Sequence, residues 1–169
     1  MKIAKQYPLS KCLVPEQILV RPPSHSLVKV LLSLAETLVR NGYIGKPLQY
    51  YNELTNGTAS WLVNPGSASA QVARVFQLCS TSVRRLCAAT AICPDGIRSE
   101  WSRPCHILVL ISSSFNSITP YEGLRRNSVR LLQPDSHREA LLKAETPAEA
   151  WSVLSRLDSE IHTDLMTRN

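Results

Sequence analysis

Apolar positions along this chain fall into two periodicities, and between Cys105 and Leu132 (CHILVLISSSFNSITPYEGLRRNSVRLL) one follows directly on the other. His106 to Ile111 is an almost unbroken apolar run, rich in β-branched residues and too short for a helix, which is the pattern of a strand buried on both faces. Ser112 to Thr119 predicts a polar loop, and Pro120 then opens a segment of helical period. In that helix Leu124, Ser128, Leu131 and Leu132 share one side, while Arg125, Arg126 and Arg130 face elsewhere. Strand, polar loop and helix together place a binding site at the carboxyl end of the strand. The loop after Ile111 is therefore the predicted site.

The remaining elements follow from the same patterning. Residues 1–24 are irregular, broken by Pro8, Pro15, Pro22 and Pro23 around a short strand, Ile18–Val20. Ser24 is the predicted N-cap of a helix in which Leu27, Val28, Leu31, Leu34, Ala35 and Leu38 recur at helical spacing, stopped by Asn41-Gly42. A shorter helix runs from Lys46 to Leu54. Residues 55–71 carry Asn-Gly and Pro-Gly turn signals around a short strand at Trp61-Leu62-Val63. Val72–Leu78 and Arg85–Cys93 read as strands, the second ended by a Pro94-Asp95-Gly96 turn. Asp135 or Ser136 caps a helix over His137–Lys143. Thr146, Pro147 and Glu149 start a closing helix with Ala148, Trp151, Leu154 and Leu157 on its apolar side. Helices precede, interleave with and follow strands, so the predicted class is α/β, with a mixed central sheet flanked by helices on both faces.

Composition narrows the function classes. The 169 residues fit one domain, 1–169, with a core over roughly 9–157. No apolar run is long enough to cross a membrane, and the N-terminus lacks the apolar stretch of a signal peptide, so a cytoplasmic protein without membrane insertion is expected. Five cysteines include no C-x-x-C pair, which argues against zinc and thioredoxin chemistry; no metal and no cofactor are expected. Cys87 and Cys93 fit buried positions in a strand. The net charge of +6 is carried largely by dispersed arginines, Arg74, Arg84, Arg85, Arg98, Arg103, Arg125, Arg126, Arg130 and Arg138 among them, read as a solvated surface. No nucleic-acid-binding motif accompanies them, and none is expected to bind nucleic acid.

The order of these pieces resembles the type-2 enzyme IIA domain of the bacterial sugar phosphotransferase system, of the fructose, mannitol and nitrogen-regulatory kind. LSKCLVPEQILV with SHSLVKVLLSLAETLVRNGYI is similar to that family's opening segment and first helix. VRRLCAATAICPDGI resembles its strand-turn unit, RPCHILVLISS with LRRNSVRLL its central strand and following helix, and LLKAETPAEAWSVL its closing acidic helix. The resemblance spans roughly Leu9 to Leu157 and rests on order and spacing.

In that family a histidine in a short Ile-Pro-His turn accepts a phosphoryl group and passes it on, a task suited to imidazole. The resemblance puts Gln77, of Val75-Phe76-Gln77, at that position; a different gap placement puts Asn64 there, of Leu62-Val63-Asn64. Neither side chain can carry the phosphoryl group. The family's second histidine falls at Tyr121, and its glycine-rich approach is replaced by SASAQVAR. Of the four histidines present, His25, His137 and His162 read as surface residues, and His106, at the start of the central strand, as structural. The chain thus resembles a degenerate member: a regulatory or docking module that has lost phosphocarrier activity. Its expected partner is a protein, acidic in character, engaged through Arg85, Arg125, Arg126 and Arg130. Two alternatives are an active phosphocarrier with a displaced acceptor (His106 or a serine in Ser112–Ser114) and an anion or small-molecule sensor at the Tyr121-Glu122 helix start. A Ser114/His106/Asp135 hydrolytic set lacks any G-x-S-x-G elbow. Cys79 is a candidate reactive thiol beside the former acceptor turn.

Overall fold

The computed structural model describes residues 7–64, 71–101 and 103–167. Its five strands are β1 (Ile18–Val20), β2 (Ala59–Val63), β3 (Ala73–Cys79), β4 (Cys87–Ile97) and β5 (Cys105–Ser113). The helices are α1 (Leu27–Arg40), α2 (Pro47–Gly57), α3 (Ile118–Leu132), α4 (Asp135–Leu142) and α5 (Pro147–Thr167), with short 3-10 turns at Leu9–Cys12, Pro15–Gln17 and Phe115–Ser117. The strands form one mixed sheet in the order β1-β4-β5-β3-β2. β1 lies parallel to β4 and β3 parallel to β5, while β4–β5 and β2–β3 are antiparallel.

The apolar run of β5 is central, as its composition requires. Ile107, Val109 and Ile111 enter one core with Leu124, Leu131, Leu154 and Leu157. Leu108 and Leu110 enter the other, with Leu34, Leu38 and Leu54 from α1 and α2. Alternation along a strand sends successive side chains to opposite faces, so a strand covered on both sides must be apolar throughout. The result is the predicted α/β arrangement with helices on both faces. None of the described helices is long and apolar enough to cross a membrane.

Several local expectations are corrected. The α1 N-cap is Ser26, not Ser24. Backbone bonds from Arg98 N–H to His25 O (2.7 Å) and from Leu27 N–H to Arg98 O (3.1 Å) hold residues 25–27 extended, so the helix cannot begin earlier. Pro94-Asp95-Gly96 does not end its strand: Ile92 faces Ile107 and Ile97 faces Cys105, so five residues of β4 advance against two of β5. The excess loops out as a bulge, with Gly96 at φ +90°, where a Cβ would lie 2.8 Å from Pro104. Ser112 and Ser113 continue β5 instead of opening the loop, and α3 begins at Ile118 with Pro120 in its first turn. The α4 N-cap is Pro134, and Asp135 and Ser136 lie within the helix. On α5 the buried face is Ala150, Leu154 and Leu157; Ala148 is exposed, and Trp151 sits at the edge, donating Nε1–H to Leu13 O (3.1 Å). Arg138, grouped above with the surface arginines, is completely buried. The Pro65-Gly66 turn signal lies outside the described residues.

The N-terminal segment is fastened to this frame by polar contacts. Gln17, fully buried, donates Nε2–H to Ala88 O of β4 (2.9 Å). Asp158 of α5 accepts the Ser10 N–H at 2.7 Å in a nearly buried position. Burial outweighs the Ser10 bonds and nearby His162, and raises the Asp158 pKa. A carboxyl whose folded pKa is raised binds its proton more tightly when folded, so stability falls as pH rises through the interval between unfolded and folded values. Asp158→Asn should keep the Ser10 contact and raise the thermal midpoint at neutral pH. That advantage should shrink as the pH falls into the ordinary carboxylate range, because the raised folded pKa lets wild-type Asp158 take up its proton before the unfolded chain does. Paired melting curves across this range check the sign; a constant loss at every pH would show that the charged contact, not its desolvation, dominates.

Candidate functional site

The parallel pairing of β3 with β5 brings their carboxyl ends together, with Gln77 opposite Ile111 and Cys79 opposite Ser113. The predicted loop after Ile111 and the position matched to the family's acceptor turn therefore meet at one end of the sheet, where the interior strands β3 and β5 finish. Val75, Gln77 and Cys79 alternate with Phe76 along β3. Val75 packs in the core beneath α3, which puts Gln77 on the α3 side of the sheet. The first turn of α3 presents Tyr121 to it, and the Tyr121 hydroxyl donates to Gln77 Oε1. Two positions 44 residues apart, matched separately to the family's two histidines, thus share a hydrogen bond. Asn64 is elsewhere: it follows β2 at the end where Val63 faces Ala73, four residues along β3 from Gln77, or about 13 Å. There it adopts φ +73° and donates Nδ2–H to Gln71 O (2.6 Å).

A cavity of about 390 Å³ opens beside this pair, lined by Ala59, Gln77, Cys79, Phe115, Ile118 and Tyr121 among others. Tyr121 is itself nearly buried. Burial, with Cys79 and Glu122 adding to it, raises its phenol pKa, so the hydroxyl stays protonated and serves as a donor. Burial likewise pushes the Cys79 thiol up, leaving little thiolate near neutral pH. Glu122 pairs with Arg125 at 2.8 Å, and the Arg125 guanidinium lies 4.6 Å from the Trp61 ring centroid, tying α3 to the edge strand β2.

The arginines singled out as possible contacts do not converge. Arg125 is occupied by Glu122 and Trp61. Arg126 and Arg130 lie one turn apart on the exposed side of α3. Arg85 belongs to the β3–β4 connection, stacked 4.6 Å from the Tyr43 ring centroid. The displaced-acceptor candidates are engaged in structure. His106 Nδ1 accepts the Val72 N–H (3.1 Å) at the opposite end of β5, and burial lowers its pKa. Ser112 is fully buried against the Tyr50 hydroxyl (2.6 Å), and the Ser113 hydroxyl donates to Ser114 O (2.7 Å). His137 Nδ1 contacts Leu131 O at 2.6 Å, and His25 is exposed. Among the described residues no group of three His, Cys, Asp or Glu side chains could hold a metal ion.

Phe115 was not anticipated. It is 57% exposed and lines both this cavity and a neighbouring one. Its sequence signal is an aromatic residue isolated within SSSFNS, where a loop needs none.

The sequence matches no protein-family model and no curated protein. Solved structures resemble it over nearly their whole length. Nitrogen regulatory protein IIA-Ntr from Neisseria meningitidis aligns with a TM-score of 0.65 at 12% identity, covering 86% of this chain and 97% of that one. IIA mannitol from Escherichia coli aligns with a TM-score of 0.61 at 16% identity, covering 84% and 98%. The mannitol-specific cryptic phosphotransferase enzyme IIA CmtB from Escherichia coli gives 0.54 at 16%, covering 88% and 98%. At such identities the likeness speaks to architecture alone: this chain has the mixed-sheet α/β fold of phosphotransferase-system IIA domains.

Proposed function

We propose that this chain is a IIA-like protein-docking module, regulatory in role, without a phosphoryl-carrying side chain. One observation carries the reading: Gln77, matched to the acceptor histidine by the resemblance, has its amide oxygen occupied by the Tyr121 hydroxyl. A carboxamide is not a nucleophile towards phosphorus, and a phenol held protonated by burial is a poor one. The surface around the pair still suits a protein partner. Phe115 and Ile118 are each more than half exposed at the cavity mouth, and Arg126 and Arg130 follow on the same helix. An acidic partner engaging those two arginines fits the net charge of +6.

Incubation with phosphoenolpyruvate, enzyme I and the histidine carrier protein should leave the intact mass unchanged, while a competent IIA domain labelled alongside gains one phosphoryl group. Stoichiometric, acid-labile labelling of this chain would overturn the reading and direct mapping to His106 first.

A further inference from the structure

The two edges of the sheet are treated differently. β1 has three residues, packs against α5 and runs into Pro22-Pro23, with Arg21 at φ +52° turning the chain away. Short length, prolines and a covering helix are usual means of closing a sheet edge. β2, at the other edge, has five residues, Ala59–Val63, without a proline, a glycine or a charged side chain. Among the described residues no group outside β3 hydrogen-bonds its backbone. Such a strand offers an open row of N–H and C=O groups to another strand. Alternation along β2 puts Trp61 on the α3 side, beneath the Arg125 guanidinium. Ser60 faces the other way, opposite Phe76 of the α1-side core, and so does Leu62, which is 43% exposed. On that side a groove of about 720 Å³ adjoins the strand, lined by Ser60, Phe76, Trp101, Leu27 and Val28 among others.

We propose that β2 pairs with β2 of a second copy of this chain, antiparallel about a two-fold axis at Trp61, and joins two five-stranded sheets into one. In that register Trp61 meets its own counterpart, and Ser60 lies opposite Leu62 of the second copy. Directly opposed residues share a face, so each exposed Leu62 reaches the rim of the other copy's groove, beside the small Ser60. Symmetry makes the contact twice. The segment thus meets both needs of self-pairing: it carries no charge to repel itself, and its apolar side chain stands two residues from the position that receives it. Arg125, near the axis, has its charge met by Glu122 at 2.8 Å. More distant like charges are screened beyond about 8 Å at 0.15 M salt. A five-residue edge with one anchor on each side falls short of a standard interface of about 1,600 Å², so the dimer is reversible, with a Kd of about 10–300 µM. The proposal is separate from the docking reading above, because it requires neither Phe115 nor an inert Gln77.

Sedimentation equilibrium of the full chain from about 10 µM to 1 mM tests it. The average mass should rise from 18.8 kDa towards twice that value, and hydrogen exchange of the β2 amides should slow as concentration increases. The double variant Ser60→Lys/Leu62→Lys sets lysines opposite one another at both contacts and should raise the Kd by about tenfold or more. Ser60→Glu/Leu62→Glu should do the same. An equimolar mixture of the two variants should dimerise again, because every opposed pair then joins a lysine to a glutamate, and only this register gives that rescue. Neither side chain is buried, and melting curves like those of the wild type establish that both variants fold. A wild type that stays monomeric to 1 mM would overturn the proposal and leave the edge to an extended segment of a different protein. Association undiminished in the lysine variant, or no rescue in the mixture, would overturn it as well.

Discussion

Arg138→Met should destabilise the fold by about 2–4 kcal/mol, read as a lower denaturation midpoint with an unchanged slope. Arg138 is completely buried, and its Nη1 donates to Leu132 O (2.7 Å) and Gln133 O (2.6 Å), the carbonyls that close α3. Its Nη2 meets the Asp135 carboxylate, whose side chain stays half exposed. Methionine fills much of the volume, but two carbonyls at a buried helix end lose their donors. Asp135 can rehydrate, so the loss comes mainly from the carbonyls and not from a stranded charge. The wild-type guanidinium already carries the cost of a buried Nε without a partner, which keeps the expected figure below that for a fully satisfied ion pair. Arg138→Lys should fall between, because a single ammonium cannot reproduce a planar fork spanning three acceptors. A loss below about 1 kcal/mol for methionine would mean that water replaces the arginine at this helix end.

Gln77→His should convert the chain from one that takes up no phosphoryl group to one that does, under the phosphoenolpyruvate assay described above. An imidazole at this place would stand at the cavity mouth, within reach of the Tyr121 hydroxyl that now bonds the amide. That hydroxyl oxygen would orient the ring by accepting its one N–H, which leaves the lone pair of the other nitrogen free as nucleophile. Tyr121→His alone supplies an imidazole in the more buried of the two positions and should remain unlabelled. The double variant should label at least as well as Gln77→His, because the phenol's steric closure is removed. Asn64→His provides the control for the alternative match. It lies at the other end of β3 in a left-handed backbone conformation, and should not label. Labelling of Asn64→His in place of Gln77→His would relocate the site; labelling of neither would indicate that the docking surface does not receive the carrier protein.

What could be read from the sequence is what depends on near neighbours. The run from His106 to Ile111 specifies a strand covered on both faces, because only burial on both sides removes the need for alternation. The apolar spacing of Leu27 to Leu38 and the stop at Asn41-Gly42 specify α1, because one turn of helix needs only contacts three and four residues away. Gly42 duly lies at φ +80° beyond its end. The resemblance, built on the order of such segments, also put Gln77 and Tyr121 at related positions.

Tertiary structure decided everything that joins distant residues. Pro94-Asp95-Gly96 reads locally as a turn, yet pairing with the central strand on both sides of it holds the chain in the sheet and expels the excess as a bulge. Ser112 and Ser113 read as loop, yet register with Leu78 and Cys79 makes them strand. Arg138 reads as surface, yet the junction of α3 and α4 encloses it because open carbonyls there require a donor. The hydrogen bond from Tyr121 to Gln77 exists only because the first turn of α3 packs at the end of β3. No spacing within either segment encodes that meeting; it is fixed by the packing of both cores against the sheet.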